Sequence, residues 1–261
     1  MKRLIAVMAV LAFFFSVGIS SAEEKSKVSW RVIGDASVSI HNKYADEITG
    51  EMYYDNPIST QSATVGVEKE NTGLYIKAEN YAPLRHEPKE TDVYFGFYTE
   101  ACGMEFDVGF AHYWMREKGE IDYNAIYGEV NFPEVIWGIV PFLKAEYRFA
   151  TQKEWVEDEE GNEYSNSLDG FAYYGGFKRE FKVTEKVSLN VEVGAGGNTG
   201  IYGGQAENLA YAREKVEVSV ELIENLNLKI AGMTQQNLGR KDGISSRTDK
   251  PFVGASIVWN F

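Results

Sequence analysis

Three histidines are the side chains in this sequence best suited to acid–base or nucleophilic chemistry near neutral pH. His41 is followed by Asn42, while His86 lies near Asp92 in a charged segment and His112 is flanked by aromatic residues. A phospholipase-type site needs a serine and an asparagine that converge on a histidine, and an aspartate–histidine protease needs pairs of those residues. No serine-bearing motif accompanies His41, and neighbouring charges such as those around His86 are mostly solvated. The sequence therefore predicts neither an enzyme nor a cofactor.

Charged side chains at alternate positions of apolar segments are a second source of chemistry. In "GLYIKAENY", Lys77 and Glu79 alternate with apolar residues, and in "KVEVSVEL", Lys215 and Glu217 alternate with valines. A charged face of this kind can sort solutes if it surrounds a pore. The alternative is a salt-bridge network that fills a narrow interior. The predicted lumen-lining residues are Lys77, Glu79, Glu105, Asp107, Glu129, Lys144, Glu146, Arg148, Arg213, Lys215 and Glu217.

The acidic segment "EWVEDEEGNEY", which spans 154–164, is the one candidate for metal binding. Oxygen-rich loops can hold Ca²⁺, but the spacing of these carboxylates does not fit an EF-hand. The segment is expected to be a solvated loop that attracts cations, so no metal site is predicted.

The charged positions lie in segments whose residues alternate between apolar and polar, which is the pattern of half-buried strands. Aromatic residues make up 14% of the chain and only 6 residues are proline, a composition that favours strands. Only the N-terminal segment has the pattern of a helix. The predicted strands are 28–40, 60–70, 73–81, 91–100, 103–115, 123–132, 139–149, 168–181, 187–196, 209–222, 226–236 and 250–261.

The connections between these strands alternate between long and short. Short turns are predicted at 70–73, 101–103, 133–138, 183–186 and 224–226, and long loops at 41–59, 82–90, 116–122, 150–167, 197–208 and 237–249. This alternation predicts a transmembrane antiparallel up-and-down β-barrel of about twelve strands, with both termini on the short-turn side. A soluble β-sandwich is the alternative, but it does not require a long loop at every second connection.

Residues 1–22 have the features of a cleaved signal peptide, because Lys2 and Arg3 precede an apolar run that ends in small residues before Ala22. A signal anchor is the alternative. Cleavage leaves a barrel domain at 23–261, which is expected in the bacterial outer membrane. The only cysteine, Cys102, excludes an intrachain disulfide and is expected to be buried.

The chain has a net charge of −13, which becomes −15 without the signal peptide because 24 basic residues then stand against 39 acidic ones. This balance argues against nucleic acid as a partner. It predicts a preference for cations if a pore conducts, although basic lumenal residues at a constriction would override it.

The C-terminal sequence "PFVGASIVWNF" ends on an aromatic residue in mid-strand. Phe261, Trp259, Ile257 and Val253 share one parity, while the opposite face is mixed. The pattern resembles the C-terminal signal that the barrel-assembly machinery reads in outer-membrane proteins. It predicts a last strand that pairs with the first one, and places Trp259 and Phe261 in an aromatic girdle.

Four segments, "TGLYIKAEN", "ETDVYFGF", "MEFDVGFAHYW" and "DYNAIYGEVNF", resemble strand motifs of the TorF-type porins, a family also called Gcw_chp. The similarity spans residues 27–150 and is looser beyond them. "HNKYADEITGEMYYDNP" stands where the family has an Arg-Gly-containing motif. The resemblance implies a porin-like barrel and specifies no substrate.

Taken together, the sequence predicts a narrow outer-membrane channel for passive diffusion of small hydrophilic solutes. Barrels of ~8 strands are filled by side chains and those of 16–18 strands leave an aqueous channel, so about twelve strands lie between these limits. The alternative is a non-conducting barrel with a structural or surface-binding role through its long loops.

Overall fold

The computed structural model places twelve antiparallel strands in one closed barrel. It describes residues 29–45, 48, 52–54, 56–84, 89–115, 122–150, 154–157, 163–166, 169–199, 206–238 and 251–261. The barrel strands are β1 (Arg31–His41), β2 (Ile58–Lys69), β3 (Thr72–Pro83), β4 (Glu90–Ala101), β5 (Met104–Met115), β6 (Tyr123–Asn131), β7 (Val140–Ala150), β8 (Gly170–Lys182), β9 (Val187–Thr199), β10 (Ala206–Ile223), β11 (Leu226–Asn237) and β12 (Phe252–Asn260). Each strand pairs with its sequence neighbours, so the predicted up-and-down barrel is confirmed.

The barrel closes by pairing its last strand with its first. Strand β12 lies antiparallel to β1, with Asn260 opposite Asp35. Phe261 continues this ladder, because its N–H donates to the Gly34 carbonyl at 2.9 Å and its carbonyl accepts from the Gly34 N–H at 3.0 Å. The backbone groups of Phe261 therefore extend the ladder that closes the barrel.

Apolar and polar residues alternate along the strands, so the barrel has an apolar outer surface and a polar inner surface. Val38, Phe95 and Ile257 point outward, with 55%, 53% and 51% of their area exposed. Closure satisfies the backbone groups of every strand edge, as a bilayer requires, and an apolar outer surface is favourable in lipid. The predicted alternation is confirmed on both faces.

The short turns lie at one end of the barrel, here called the short-turn end, and the longer connections lie at the other, the long-loop end. The turn between β4 and β5 consists of Cys102 and Gly103, with φ angles of +56° and +74°. Positive φ at both central residues is the geometry of a type I′ hairpin, which continues the twist of the strands. Cys102 is exposed at its tip, so the expected burial of this side chain is wrong.

Two of the long loops contain short hairpins. Tyr44–Ala45 pairs with Met52–Tyr54, and Glu154–Glu157 pairs with Glu163–Asn166. The side chains of the acidic segment 154–164 lie outside the described part of the chain, as does the predicted signal peptide at 1–22. In the described ranges, no helix is long and apolar enough to cross a membrane.

Candidate pore lumen

Glycines on the inner surface make room for tyrosine rings from neighbouring strands. A Cβ atom on Gly96 would lie 2.3 Å from the ring of Tyr75, and one on Gly109 would lie 2.4 Å from the Tyr127 hydroxyl. The same relation holds for Gly73 with Tyr98, Gly194 with Tyr174, and Gly196 with Tyr211. Because each ring lies over the adjacent strand, it follows the barrel wall and leaves the centre less filled.

Three cavities lie inside the barrel. The large cavity has a volume of about 400 Å³ and is bounded mainly by β1–β7. The small cavity, of about 190 Å³, is bounded mainly by β9–β12, and the turn-side cavity, of about 360 Å³, lies at the short-turn ends of β7–β10. His41 and Lys144 line both the large and the small cavity, while Lys215 lines both the small and the turn-side cavity. The small cavity therefore adjoins both the large and the turn-side cavity.

Acidic side chains predominate in the large cavity. Its carboxylates are Glu79, Glu90, Asp92, Asp107, Glu129 and Glu146, and its cations are Lys77, Lys144 and Arg148. The Tyr75 hydroxyl donates to Asp107 at 2.9 Å and lies 2.8 Å from the Tyr127 hydroxyl. Lys77 pairs with Glu79 at 2.9 Å. These six carboxylates, on β3–β7, form the acidic wall of the lumen.

Basic side chains predominate in the small cavity. Among the described residues its cations are Lys43, Lys144, Arg213, Lys215 and Lys229, and its carboxylates are Glu192 and Glu217. Arg213, Lys215 and Lys229, on β10 and β11, form the basic wall. Carboxylates are thus in excess in the large cavity and cations in the small one, so the cation preference expected from net charge is not supported.

A buried ionic layer lies near the long-loop end, formed by Tyr113, Glu146 and Arg148. The Arg148 Nε donates to Glu146 Oε1 at 2.6 Å, and the Tyr113 hydroxyl donates to the same oxygen at 2.8 Å. The guanidinium lies 4.9 Å from the centre of the Tyr113 ring. The Arg148 and Glu146 side chains are only 4% and 2% exposed. Good hydrogen-bond geometry offsets the desolvation of such a pair. Because these side chains line the large cavity and are buried there, they constrict the lumen.

One residue of the long loop between β1 and β2 lies at the level of the buried ionic layer. The Tyr211 hydroxyl on β10 donates to the Ile48 backbone carbonyl at 2.6 Å. Ile48 also lines the large cavity, whose walls belong mainly to β1–β7. This loop residue therefore lies between opposite walls and narrows the lumen at its long-loop end.

Ten of the eleven sequence-predicted residues line a cavity, and Glu105 is the exception. Glu105 is exposed at the short-turn end, where the Asn131 amide donates to it at 3.0 Å. The prediction missed Glu90 and Asp92, which are buried on the inner surface of β4. Glu90 and Asp92 alternate in step with Tyr94, so the three side chains face the same side of the strand, and this pattern could have identified them.

The histidines do not assemble a catalytic site in the described part of the chain. His41 Nε2 lies 2.9 Å from Ser39 Oγ inside the lumen, but no carboxylate there orients the ring, as a nucleophile–base pair requires. His112 faces outward, 2.7 Å from Asn124 Oδ1 and in edge contact with Trp114. His86 lies outside the described residues. The Ser39–His41 contact is therefore a polar contact of the lumen wall.

The apolar outer surface, the closed ladder and the charged interior together define an outer-membrane β-barrel protein. The fold is similar to that of several porins. The KdgM porin in complex with disordered oligogalacturonate has a TM-score of 0.51 and 9% identity, covering 88% of this chain and 99% of its own. The NanC porin has a TM-score of 0.52 and 7% identity, covering 87% of this chain and 98% of its own.

An outer membrane channel from Pseudomonas putida F1 is also similar, with a TM-score of 0.52 and 8% identity, covering 93% of this chain and all of its own. No protein-family model matches the sequence, and no curated protein matches it either. Identities this low establish a shared fold alone. Membership of the TorF-type family therefore stays a prediction.

Proposed function

We propose that this protein is a passive outer-membrane channel for small hydrophilic solutes. The observation that supports this proposal most is the set of three charge-lined cavities inside the closed barrel, of which the small cavity adjoins the other two. In a purely structural barrel, side chains would fill this space, as they do in barrels of ~8 strands. Solutes would lose part of their hydration in the narrow lumen and exchange it for the polar side chains of the wall.

The buried ionic layer and Ile48 set the narrowest part of this route. A solute that passes them meets the acidic wall on one side and the basic wall on the other. Such an arrangement orients dipolar and zwitterionic solutes across the lumen, because each end is attracted to a different wall. The porin similar in fold that is named in complex with oligogalacturonate makes passage of hydrophilic organic solutes compatible with this architecture.

Two further steps belong to this proposal. Residues 1–22 direct export and are removed, which leaves the barrel domain at 23–261. The barrel-assembly machinery then recognises the last strand through Phe261, which already forms part of the closing ladder.

A non-conducting barrel is the second candidate, and the buried ionic layer is the observation that favours it. Swelling of proteoliposomes separates the two. Vesicles that contain the purified barrel are placed in isotonic solutions of uncharged sugars of increasing size. A channel gives swelling rates that fall with sugar size, whereas a closed barrel gives the rate of protein-free vesicles for every sugar.

A further inference from the structure

One arginine lies on the apolar outer surface of the barrel, close to the short-turn end. Arg179 follows Lys178 on β8, whose ammonium lies 3.5 Å from Glu129 Oε1 inside the lumen. Successive side chains of a strand point to opposite faces, so Arg179 points outward together with Phe177 and Phe181, which are both exposed there. This guanidinium therefore lies on the lipid side of the wall.

We propose that Arg179 and the hairpin at 132–139, which connects β6 to β7, bind the phosphate-bearing headgroup of a glycerophospholipid in the adjacent membrane leaflet. The inference goes beyond the proposed channel and does not depend on conduction. It uses only the outer-membrane location and the apolar outer surface of the barrel.

The position of Arg179 along β8 is close to the membrane interface. Three residues separate it from Lys182, the last residue of the strand, which corresponds to about 10 Å of strand at about 3.3 Å per residue. An arginine is strongly unfavourable at the midplane of a bilayer, but it is tolerated near the interface because its long side chain can reach the headgroups. Arg179 is therefore placed where a guanidinium can meet a lipid phosphate.

The guanidinium is held by packing and has no anionic partner among the described residues. Its Cζ atom lies 4.2 Å from the centre of the Phe181 ring, and a Cβ atom on Gly138 would lie 3.6 Å from its Nε. Within the described ranges, Nε is buried without a hydrogen-bond partner, and Arg179 forms no ion pair. Glu134 of the hairpin accepts the Gly138 N–H at 2.6 Å instead. The terminal nitrogens can therefore bind a phosphate, for which arginine offers two parallel hydrogen bonds.

The hairpin has three consecutive apolar side chains at its tip. Val135, Ile136 and Trp137 are each more than half exposed, and 76% of the area of Trp137 is exposed. The Ile139 N–H donates to the Ile136 carbonyl at 3.0 Å, and this tight turn holds Trp137 at a φ of +53°, which is unusual for a bulky residue. Tryptophan is favoured at membrane interfaces, where its ring contacts both acyl chains and headgroups. A lipid is the occupant that matches an apolar tip and a neighbouring cation, both continuous with the lipid-facing surface.

Native mass spectrometry of the full chain, released from detergent micelles, measures the retention of lipid. Dioleoyl phosphatidylglycerol is the probe, and dioleoylglycerol, which has the same acyl chains and no phosphate, is its control. Arg179→Gln is expected to weaken retention of the phospholipid about tenfold, because it removes a charge-assisted pair of hydrogen bonds. Lys178→Gln makes the same charge change one residue away, inside the lumen, and is expected to alter retention by no more than about twofold. Heat-dependent gel mobility shows whether both variants are folded.

Selective weakening by Arg179→Gln, with little retention of dioleoylglycerol by the wild-type protein, supports the proposal. Equal retention of the two lipids, or equal weakening by the two variants, overturns it. Inorganic phosphate is then added as a competitor at constant ionic strength. A lipid that stays bound supports the lipid site, whereas displacement by phosphate at concentrations similar to that of the lipid identifies a site for free phosphate and overturns it.

The fluorescence of Trp137 tests where the hairpin tip lies. The protein is inserted into vesicles of phosphatidylglycerol whose acyl chains are brominated close to the headgroup, and the emission of Trp137→Phe is subtracted from that of the wild-type protein. Bromine is expected to quench the Trp137 contribution obtained in this way. An unquenched contribution would place the tip in water, as a docking surface for another protein requires, and would overturn the lipid site.

Discussion

The ammonium of Lys144 lies 3.3 Å from a carboxylate oxygen of Glu129, its direct neighbour on the adjacent strand. Glu129 belongs to the acidic wall of the large cavity, whereas Lys144 also lines the small cavity with its excess of cations. The pair therefore marks the boundary between the two electrostatic environments of the lumen. A solute that moves from one cavity to the other passes this boundary.

The tyrosine–glycine contacts of the wall make a prediction about stability. Gly96→Ala should destabilise the barrel by about 1–3 kcal/mol, because its new methyl group would overlap the Tyr75 ring. The control is Gly232→Ala on the outer surface, where an added Cβ atom meets nothing within 4 Å. Unfolding in urea, followed by the mobility of unheated samples on denaturing gels, measures both. Equal stability of the two variants would show that the ring does not occupy this position.

The assignment of inner and outer faces predicts opposite effects at adjacent residues. Val218→Arg places a charge on the lipid face and should cost ~2–4 kcal/mol near the bilayer midplane. Ser219→Arg, one residue further, places the same side chain in the lumen, opposite Ser188, and should cost much less. Unfolding of both variants in lipid vesicles provides the comparison. Similar losses at the two positions would refute the register of β10.

The contact between Tyr211 and the first long loop predicts a change in channel behaviour. Tyr211→Phe removes the hydroxyl that holds the Ile48 carbonyl, a hydrogen bond worth about 1 kcal/mol. The open-channel current should then fluctuate more. Tyr174→Phe is the matched control, since the Tyr174 hydroxyl donates to Glu192 on the wall instead. If recordings from the two variants show the same noise, the loop contact does not control the constriction.

Loop length predicts the orientation of the barrel in the membrane. Short turns of outer-membrane barrels face the periplasm and long loops face outward. Epitope tags inserted near Glu160 and near Gly243 should therefore be labelled on intact cells. Tags near Asn71 and near Glu185 should be labelled only after the outer membrane is permeabilised, and the reverse pattern would invert the proposed orientation.

The strands, their faces and the alternation of connections could be read from the sequence because they depend on local, period-two patterns. The outward position of Val218 and the inward position of Lys215 follow from that pattern alone. Cys102 was placed wrongly because small apolar residues are usually buried, and the hairpin tip that exposes it requires knowledge of backbone angles.

The interior could be predicted only in part, because partners across the lumen are set by closure. Tyr211 and Ile48 are 163 positions apart in sequence, and no local pattern relates them. The excess of carboxylates in one cavity and of cations in another likewise depends on which strands become neighbours when β12 pairs with β1. Net charge alone carries no information about this arrangement, which is why it predicted a preference for cations throughout the lumen.

Single-channel recording in planar lipid bilayers tests the central claim most directly. The purified barrel, shown to be folded by its heat-dependent gel mobility, is added to one side of a bilayer under applied voltage. The proposed channel predicts discrete, reproducible current steps, because ions would pass through the charge-lined cavities and past the buried ionic layer. Folded protein that inserts into the bilayer and gives no current steps would contradict it.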